Sequence, residues 1–371
     1  MLRRPATVIS AVVLIGAIVL TATVVATASP SKRSAHAATL VVGGIHVGSV
    51  KDAGYNQAQH DGLVYMQKHV SGIKLIEASN IPEGPQVETV IQNMINQGAK
   101  LIFPQSFGYQ DFTLNVAAKD RDVNFEHPAG YKSASNFGTY WAASTPINYA
   151  LGAAAAMVSK HGKLGFVGSI PIPTIIASAD AFHLGALSVN PKIKTYIIFN
   201  GSFSDPGKEA ADVNTFANKG VDVIAGLVDS PITYVKTAEA RHVYTIGYHS
   251  KAAEKYAPKY WISGVDFNWG PMFVQMAKQV KAGTWTARNW IAPVRMGIAK
   301  LAPFGPKVPA KARLKAMRIV HRFAIGKQTS AFKGPVYDQS GTLRVKKGVQ
   351  PPPGFEQGVT WLAKGMIGNT K

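Results

Sequence analysis

The chain has 371 residues, 40 Lys and Arg against 20 Asp and Glu, a formal net charge of +20 and no cysteine. That length accommodates two ordinary domains or three small ones, each able to bury a core, and the lack of cysteine excludes disulfides and thiolate metal sites. The basic residues are dispersed, densest at Lys311–Arg322 and Arg344–Lys347, so the charge reads as solvated faces rather than a nucleic-acid surface.

Arg3 and Arg4 precede an apolar stretch, Thr7 to Ala28, with a small-x-small step at Ala35-His36-Ala37. This is the pattern of an export signal, with an uncleaved anchor as the alternative. The run Val41 to Ile45 is short and β-branched, hence a strand. From Tyr55 onward Ala58, Gly62, Leu63, Met66 and Val70 fall on one helical face. Lys74 to Ala78 reads as a second strand. Val87, Val90, Ile91, Met94 and Ile95 give a helix stopped by Gly98. Strands follow at Leu101–Phe103 and Val123–Glu126, with a helix between them.

A second series starts at the Ala-rich helix Ile147–Lys160. Strands are expected at 164–168, 195–199, 221–225 and 242–246, separated by helices. Asn96-Gln97-Gly98-Ala99-Lys100-Leu101-Ile102 is echoed by Asn218-Lys219-Gly220-Val221-Asp222-Val223-Ile224, which favours two similar α/β lobes over one large sheet. Further on come a strand near Trp261–Val265, a helix Met272–Lys281, a basic helix Ala310–Ile325 and a hairpin at Gly334–Gly341.

In parallel α/β sheets, ligands sit at the carboxyl ends of the strands. The expected exit loops supply Asp52, Tyr55, Asn56, Phe107, His127, Phe203, Asp229, Ser230, His249, Asn268 and Trp269 as candidate ligand-binding residues. Flat aromatic faces suit a planar solute, and Asp and Asn suit the edges of a base or sugar hydroxyls. Some of these side chains have structural alternatives. Asp52 can cap the helix, Phe107 can close a hydrophobic lid, and Asp205 before Pro206 reads as a cap. Neither phosphate-cradling glycine motif is present, which argues for an uncharged base or nucleoside over a nucleotide. There is no nucleophile elbow, no metal-spaced histidine pair and no assignable acid/base pair. His60, His69, His161 and His183 read as surface or core residues. No catalytic residue, metal or cofactor is expected.

Gly48-Ser49-Val50-Lys51-Asp52-Ala53-Gly54-Tyr55-Asn56, Ser106-Phe107-Gly108-Tyr109, Phe125-Glu126-His127-Pro128-Ala129-Gly130-Tyr131-Lys132, Asp229-Ser230-Pro231, Gly247-Tyr248-His249-Ser250 and Asn268-Trp269-Gly270-Pro271 together resemble the basic membrane protein family, solute receptors of ABC transporters that include purine nucleoside receptors. The resemblance covers roughly Leu40 to Val345. It implies an α/β protein of the type 1 periplasmic-binding fold: two doubly wound parallel-sheet lobes joined by a three-strand hinge. The implied partition is 1–37 targeting segment, 38–142 with 249–290 as one lobe, 143–248 with 291–345 as the other, and 346–371 a polar tail. Tyr55 and Phe203 would sandwich the ligand from different lobes, with Asp52, Asn56 and Asp229 in polar contact loops. The family usually carries Asp where this chain has His249, in a loop tied to ribose recognition, and its lipoproteins carry a Cys this chain lacks. The implied function is extracytoplasmic capture of a purine-like solute by a monomer, for delivery to an ABC permease. A sensory receptor of the same fold and an extracellular nucleoside hydrolase are the alternatives.

Overall fold

A computed structural model describes residues 39–370; the targeting segment read from Arg3 to Ala37 lies outside them. The first β/α series runs β1 (Leu40–His46), α1 (Tyr55–His69), β2 (Ile73–Ala78), α2 (Gln86–Asn96), β3 (Ala99–Gln105), α3 (Gln110–Ala117), β4 (Asn124–Pro128) and β5 (Phe137–Ala142). The second runs α4 (Thr145–Val158), β6 (Lys163–Gly168), α5 (Pro173–Leu187), β7 (Lys194–Phe199), α6 (Pro206–Asn218), β8 (Val223–Leu227), α7 (Ile232–Ala240), β9 (Tyr244–Gly247) and β10 (Trp261–Phe267). The remainder is α8 (Gly270–Lys281), β11 (Asn289–Ala292), β12 (Ala299–Leu301), α9 (Ala310–Ala324), β13 (Val336–Tyr337), β14 (Leu343–Val345) and β15 (Met366–Ile367).

Two large sheets organise most of these elements, and β13 and β14 pair as a separate antiparallel ribbon. One has the order β11-β5-β4-β3-β1-β2 and is parallel throughout. The other has the order β12-β10-β9-β8-β6-β7-β15, parallel except where β12 runs against β10. Helices cover their faces, as the crossover connections of parallel strands require. The chain passes between the sheets three times: from β5 into α4, from β10 into α8, and from β11 into β12. This is the two-lobed type 1 fold with its three-strand hinge.

Local packing explains several positions. α4 and α5 cross where Gly152 and Gly185 leave no room for a Cβ: one added at Gly152 would lie 1.8 Å from the Phe182 carbonyl oxygen, and one at Gly185 would lie 1.9 Å from that of Tyr149. Asp205 caps α6, its side chain accepting from the Lys208 amide at 3.0 Å, as its place before Pro206 suggests. α9 buries Ala312, Ala316, Ile319 and Phe323, and turns its basic face to solvent.

The structure corrects three expectations. β10 is hydrogen-bonded to β9 and β12, so residues 261–267 belong to the second sheet and not, as the partition at 249 implied, to the first lobe. The chain reaches β10 through a 3₁₀ segment (Lys251–Tyr256) whose Ala253 is buried in one core with Trp261 and Val235. Second, residues beyond 345 are not simply a polar tail. Val359, Leu362, Ala363 and Met366 are buried, and β15 extends the second sheet alongside β7. Third, β5 and β11 were not foreseen. Each is short and rich in Gly, Trp or Tyr, and becomes a strand by pairing with its neighbour.

Candidate functional site

The loop between β1 and α1 is built around Asp52. Its carboxylate accepts from the amides of Gly54, Asn56 and Gln57 at 2.8–3.0 Å and from Asn56 Nδ2 at 2.8 Å. Asn56 Oδ1 in turn accepts from the Gly48 amide at 3.0 Å. These two side chains tie down the first turn of α1, whose leading amides have no intrahelical partner. With the Asp52 carboxylate spent on three backbone amides and the Asn56 side chain, Asp52 and Asn56 shape the loop, and neither lines the cavity described next. Tyr55, the first helical residue, is thereby aimed out of the lobe.

A cavity of about 1160 Å³ opens between the two lobes at the carboxyl ends of the strands. Five of the expected residues line it: Tyr55 and Phe107 from one lobe, and Phe203, Asp229 and His249 from the other. Tyr131, Tyr140, Trp141 and Tyr248 add aromatic wall, and Ser106, Ser144, Ser178 and Asn289 add polar groups. Trp141 and Tyr131 escaped the sequence reading because the first sits on unforeseen β5 and the second was quoted only as part of a motif. An unusual run of aromatics, Phe137, Tyr140 and Trp141, was the available signal.

The remaining candidates lie outside the lining. Trp269 is buried in the hinge core, stacked on Phe267 at 4.8 Å with Tyr140 edge-on at 5.3 Å. Asn268 donates its amide to Ile298 oxygen at 2.7 Å, joining two crossover segments. His127 is buried beside Phe137, ring centroids 5.6 Å apart, behind the lining residues Pro128 and Ala129. Ser230 donates Oγ to the Asp52 carbonyl at 3.3 Å, a contact between lobes.

That contact is one of a pair. The Tyr55 amide donates to the Asp229 carbonyl oxygen at 2.8 Å. The lobes are therefore in contact around the cavity, through the loop that positions Tyr55. Gly54 makes the approach possible: a Cβ there would stand 1.9 Å from the Asp229 oxygen and 2.5 Å from Pro231 Cδ.

Burial disfavours charge on Asp229 and His249, while Arg295 and Glu356 line the cavity elsewhere. Burial pushes the Asp229 carboxyl well above its ordinary range, and Asp52, Glu83 and Glu209 add like charge. Such a carboxyl keeps its proton to higher pH and can donate a hydrogen bond. Burial lowers His249 to about 3, so its imidazole is neutral, with one donor and one acceptor nitrogen. Its ring meets Tyr55 and Tyr248 edge-on at 5.1 and 4.6 Å, and Nε2 makes no hydrogen bond within the protein. Tyr248 is fixed by its hydroxyl, 3.0 Å from Ser144 Oγ.

Two α/β lobes in contact around an aromatic cavity at the carboxyl edges of their sheets define a substrate-binding protein of the type 1 periplasmic-binding fold. A solute-binding protein of an ABC transporter system from Conexibacter woesei superposes with a TM-score of 0.65 at 21% identity, covering 78% of this chain and 97% of that one. Residues 39–315 match the Bmp family model, described as ABC transporter substrate-binding protein, PnrA-like, and the chain belongs to that family. It is a solute-binding protein and not an enzyme. Among its relatives, a purine-binding protein of Brucella abortus (strain 2308) is 36% identical over 318 residues, 85% of this chain and 89% of that one. A putative ABC transporter glucose-binding protein of Haloferax volcanii is 27% identical over 264 residues, 71% and 67% of the two chains.

Proposed function

We propose that this protein captures an uncharged purine-class solute, a nucleobase or its nucleoside, between its lobes outside the cytoplasm, and presents it to an ABC permease as a monomer. The observation that carries this reading is the presence of Tyr55 and Phe203, from opposite lobes, on the walls of one cavity. Aromatic faces hold a planar ring by stacking. Asp229, whose carboxyl burial biases toward its protonated form, and the neutral His249 offer hydrogen bonds to a solute without calling for a charged partner. The Brucella relative's name agrees with a purine, whereas the Haloferax relative's name points to a sugar, which would favour polar edges over stacked faces.

Calorimetry of the chain, stripped of co-purifying solute, against adenine, guanine, adenosine, guanosine, inosine, uridine and glucose separates these cases. Micromolar or tighter binding is expected for a purine. Stacking is worth ~1–3 kcal/mol per base by alanine substitution, so Tyr55→Ala and Phe203→Ala should each weaken binding by roughly 5- to 150-fold. Full affinity in the double variant refutes the sandwich, and binding of glucose alone refutes the ligand class.

A further inference from the structure

The cluster that the solute cavity does not use lies behind the β1–α1 loop. His46 ends β1, Glu77 stands near the end of β2, and His60 lies on α1. Register brings them together. Gly44 pairs with Glu77 and Ile45 with Ala78 across the parallel strands, so Gly44, His46 and Glu77 project on one face of the sheet. α1 packs on that face because Gly44 has no side chain; a Cβ there would lie 2.4 Å from Leu63 Cδ1. The close approach sets His60, one helical turn before Leu63, over the two strand ends.

The donor atoms converge. His46 Nε2 is 2.7 Å from Glu77 Oε1, and His60 Nδ1 is 2.9 and 3.1 Å from the two carboxylate oxygens. One ligand atom from each residue falls within 4.8 Å of the other two. The His46 side chain is fully buried, while His60 and Glu77 keep 30% and 21% of theirs exposed, which leaves a route from solvent. His46 Nδ1 makes no hydrogen bond, so the contact of Nε2 with the Glu77 carboxylate alone sets that ring's tautomer.

We propose that His46, His60 and Glu77 form a binding site for a divalent transition-metal ion of the zinc class, outside the solute cavity. Two imidazoles and a carboxylate with a solvent-facing fourth position are an established donor set for such an ion. Tetrahedral zinc with bonds of about 2.0–2.1 Å needs donor separations of about 3.3–3.4 Å. The direct His46–Glu77 and His60–Glu77 hydrogen bonds would therefore open by roughly half an ångström as the ion replaces the shared protons. No sequence motif announces the site because its ligands come from three separate elements. The ion would fasten the ends of β1 and β2 to α1, directly behind the loop that carries Asp52 and Tyr55.

The test is titration of the untagged chain with Zn²⁺ by calorimetry, and with Co²⁺ by its visible spectrum, beside His60→Ala and Glu77→Gln. Both substitutions are on the solvent side of the cluster, and circular dichroism checks that each variant folds. Saturable binding of one ion per chain, an intense tetrahedral Co²⁺ spectrum, and a loss of affinity of about tenfold or more in each variant are expected. Absence of saturable binding in the wild type would mean a purely hydrogen-bonded cluster and overturn the proposal. Binding that survives unchanged in the folded variants would overturn it too, by placing the metal on other surface histidines.

Discussion

At His249 the backbone adopts a left-handed conformation, φ 72°, unusual for a side chain with a Cβ. Among the described residues, the ring it turns inward is one of three histidines that burial holds below the ordinary value: His127 and His183 at about 4 and His249 at about 3. In the unfolded chain each titrates near an ordinary value of about 6.5. As pH falls below that value the unfolded chain takes up protons that the native state refuses, so each histidine withdraws stability until its folded pKa is reached. Glu126 and Glu209, raised by burial to about 7, act oppositely. Their native protons persist above the ordinary value, and their contribution falls as pH rises from about 4.5 to 7. The histidine effect is isolated by difference. His249→Gln should gain on the wild type by about 1.4 kcal/mol per pH unit as pH drops from about 6.5 to 4, read from urea midpoints. A pH-independent difference would mean that His249 is not a neutral buried imidazole. Residue roles were the least legible part of the sequence. Asp52 looks the same locally whether it caps a helix or faces a ligand, and only its four hydrogen bonds decide. Trp269 likewise sits in a loop by sequence and in the hinge core by packing.

The long periodic elements were the most legible. α2 and α8 start or stop within a few residues of where apolar spacing and Gly put them, because each buries a stripe of its own surface. Short elements that rely on a distant partner were not. β5 and β11 form by pairing with each other some 150 residues apart along the chain, and β15 forms by pairing with β7. The segment leading into β15 also meets a buried acid: Asp180 Oδ1 accepts from the Ala363 amide at 2.8 Å, and burial pushes the Asp180 carboxyl well above its ordinary range. Deleting residues 359–370 would strip that partner and uncover apolar surface where Val359, Leu362 and Met366 are now buried. Each such side chain contributes about 1.5–3 kcal/mol, so the thermal midpoint should fall by many degrees. A truncated chain that melts with the full-length protein would show that β15 adds nothing to the second lobe.

For the molecule as a whole, the repeated helix–Gly–strand pattern revealed two lobes, but not where each lobe ends, since every strand exit looks like every other in sequence. The lobes meet through Gly54 and Asp229, and closure is a hinge motion that a ligand stabilises by its preference for the closed state. Gly54→Ala places a methyl group 1.9 Å from the Asp229 oxygen, which should hold the lobes apart while leaving each lobe folded. Scattering profiles should then indicate a larger radius of gyration, and solute affinity should drop by at least about tenfold, the population-shift penalty of a lost closed state. Unchanged affinity would mean that this contact takes no part in closing.

The interleaving of the strands also dictates an order of assembly. During synthesis the first sheet cannot acquire β11 until the whole stretch from α4 to β10 has been made. The second sheet waits still longer, for residues 366–367. The two lobes thus alternate along the chain, so a nascent protein passes through most of its length with both sheets still open at one side. For the same reason, grafting one lobe onto a relative would require exchanging several separate stretches at once.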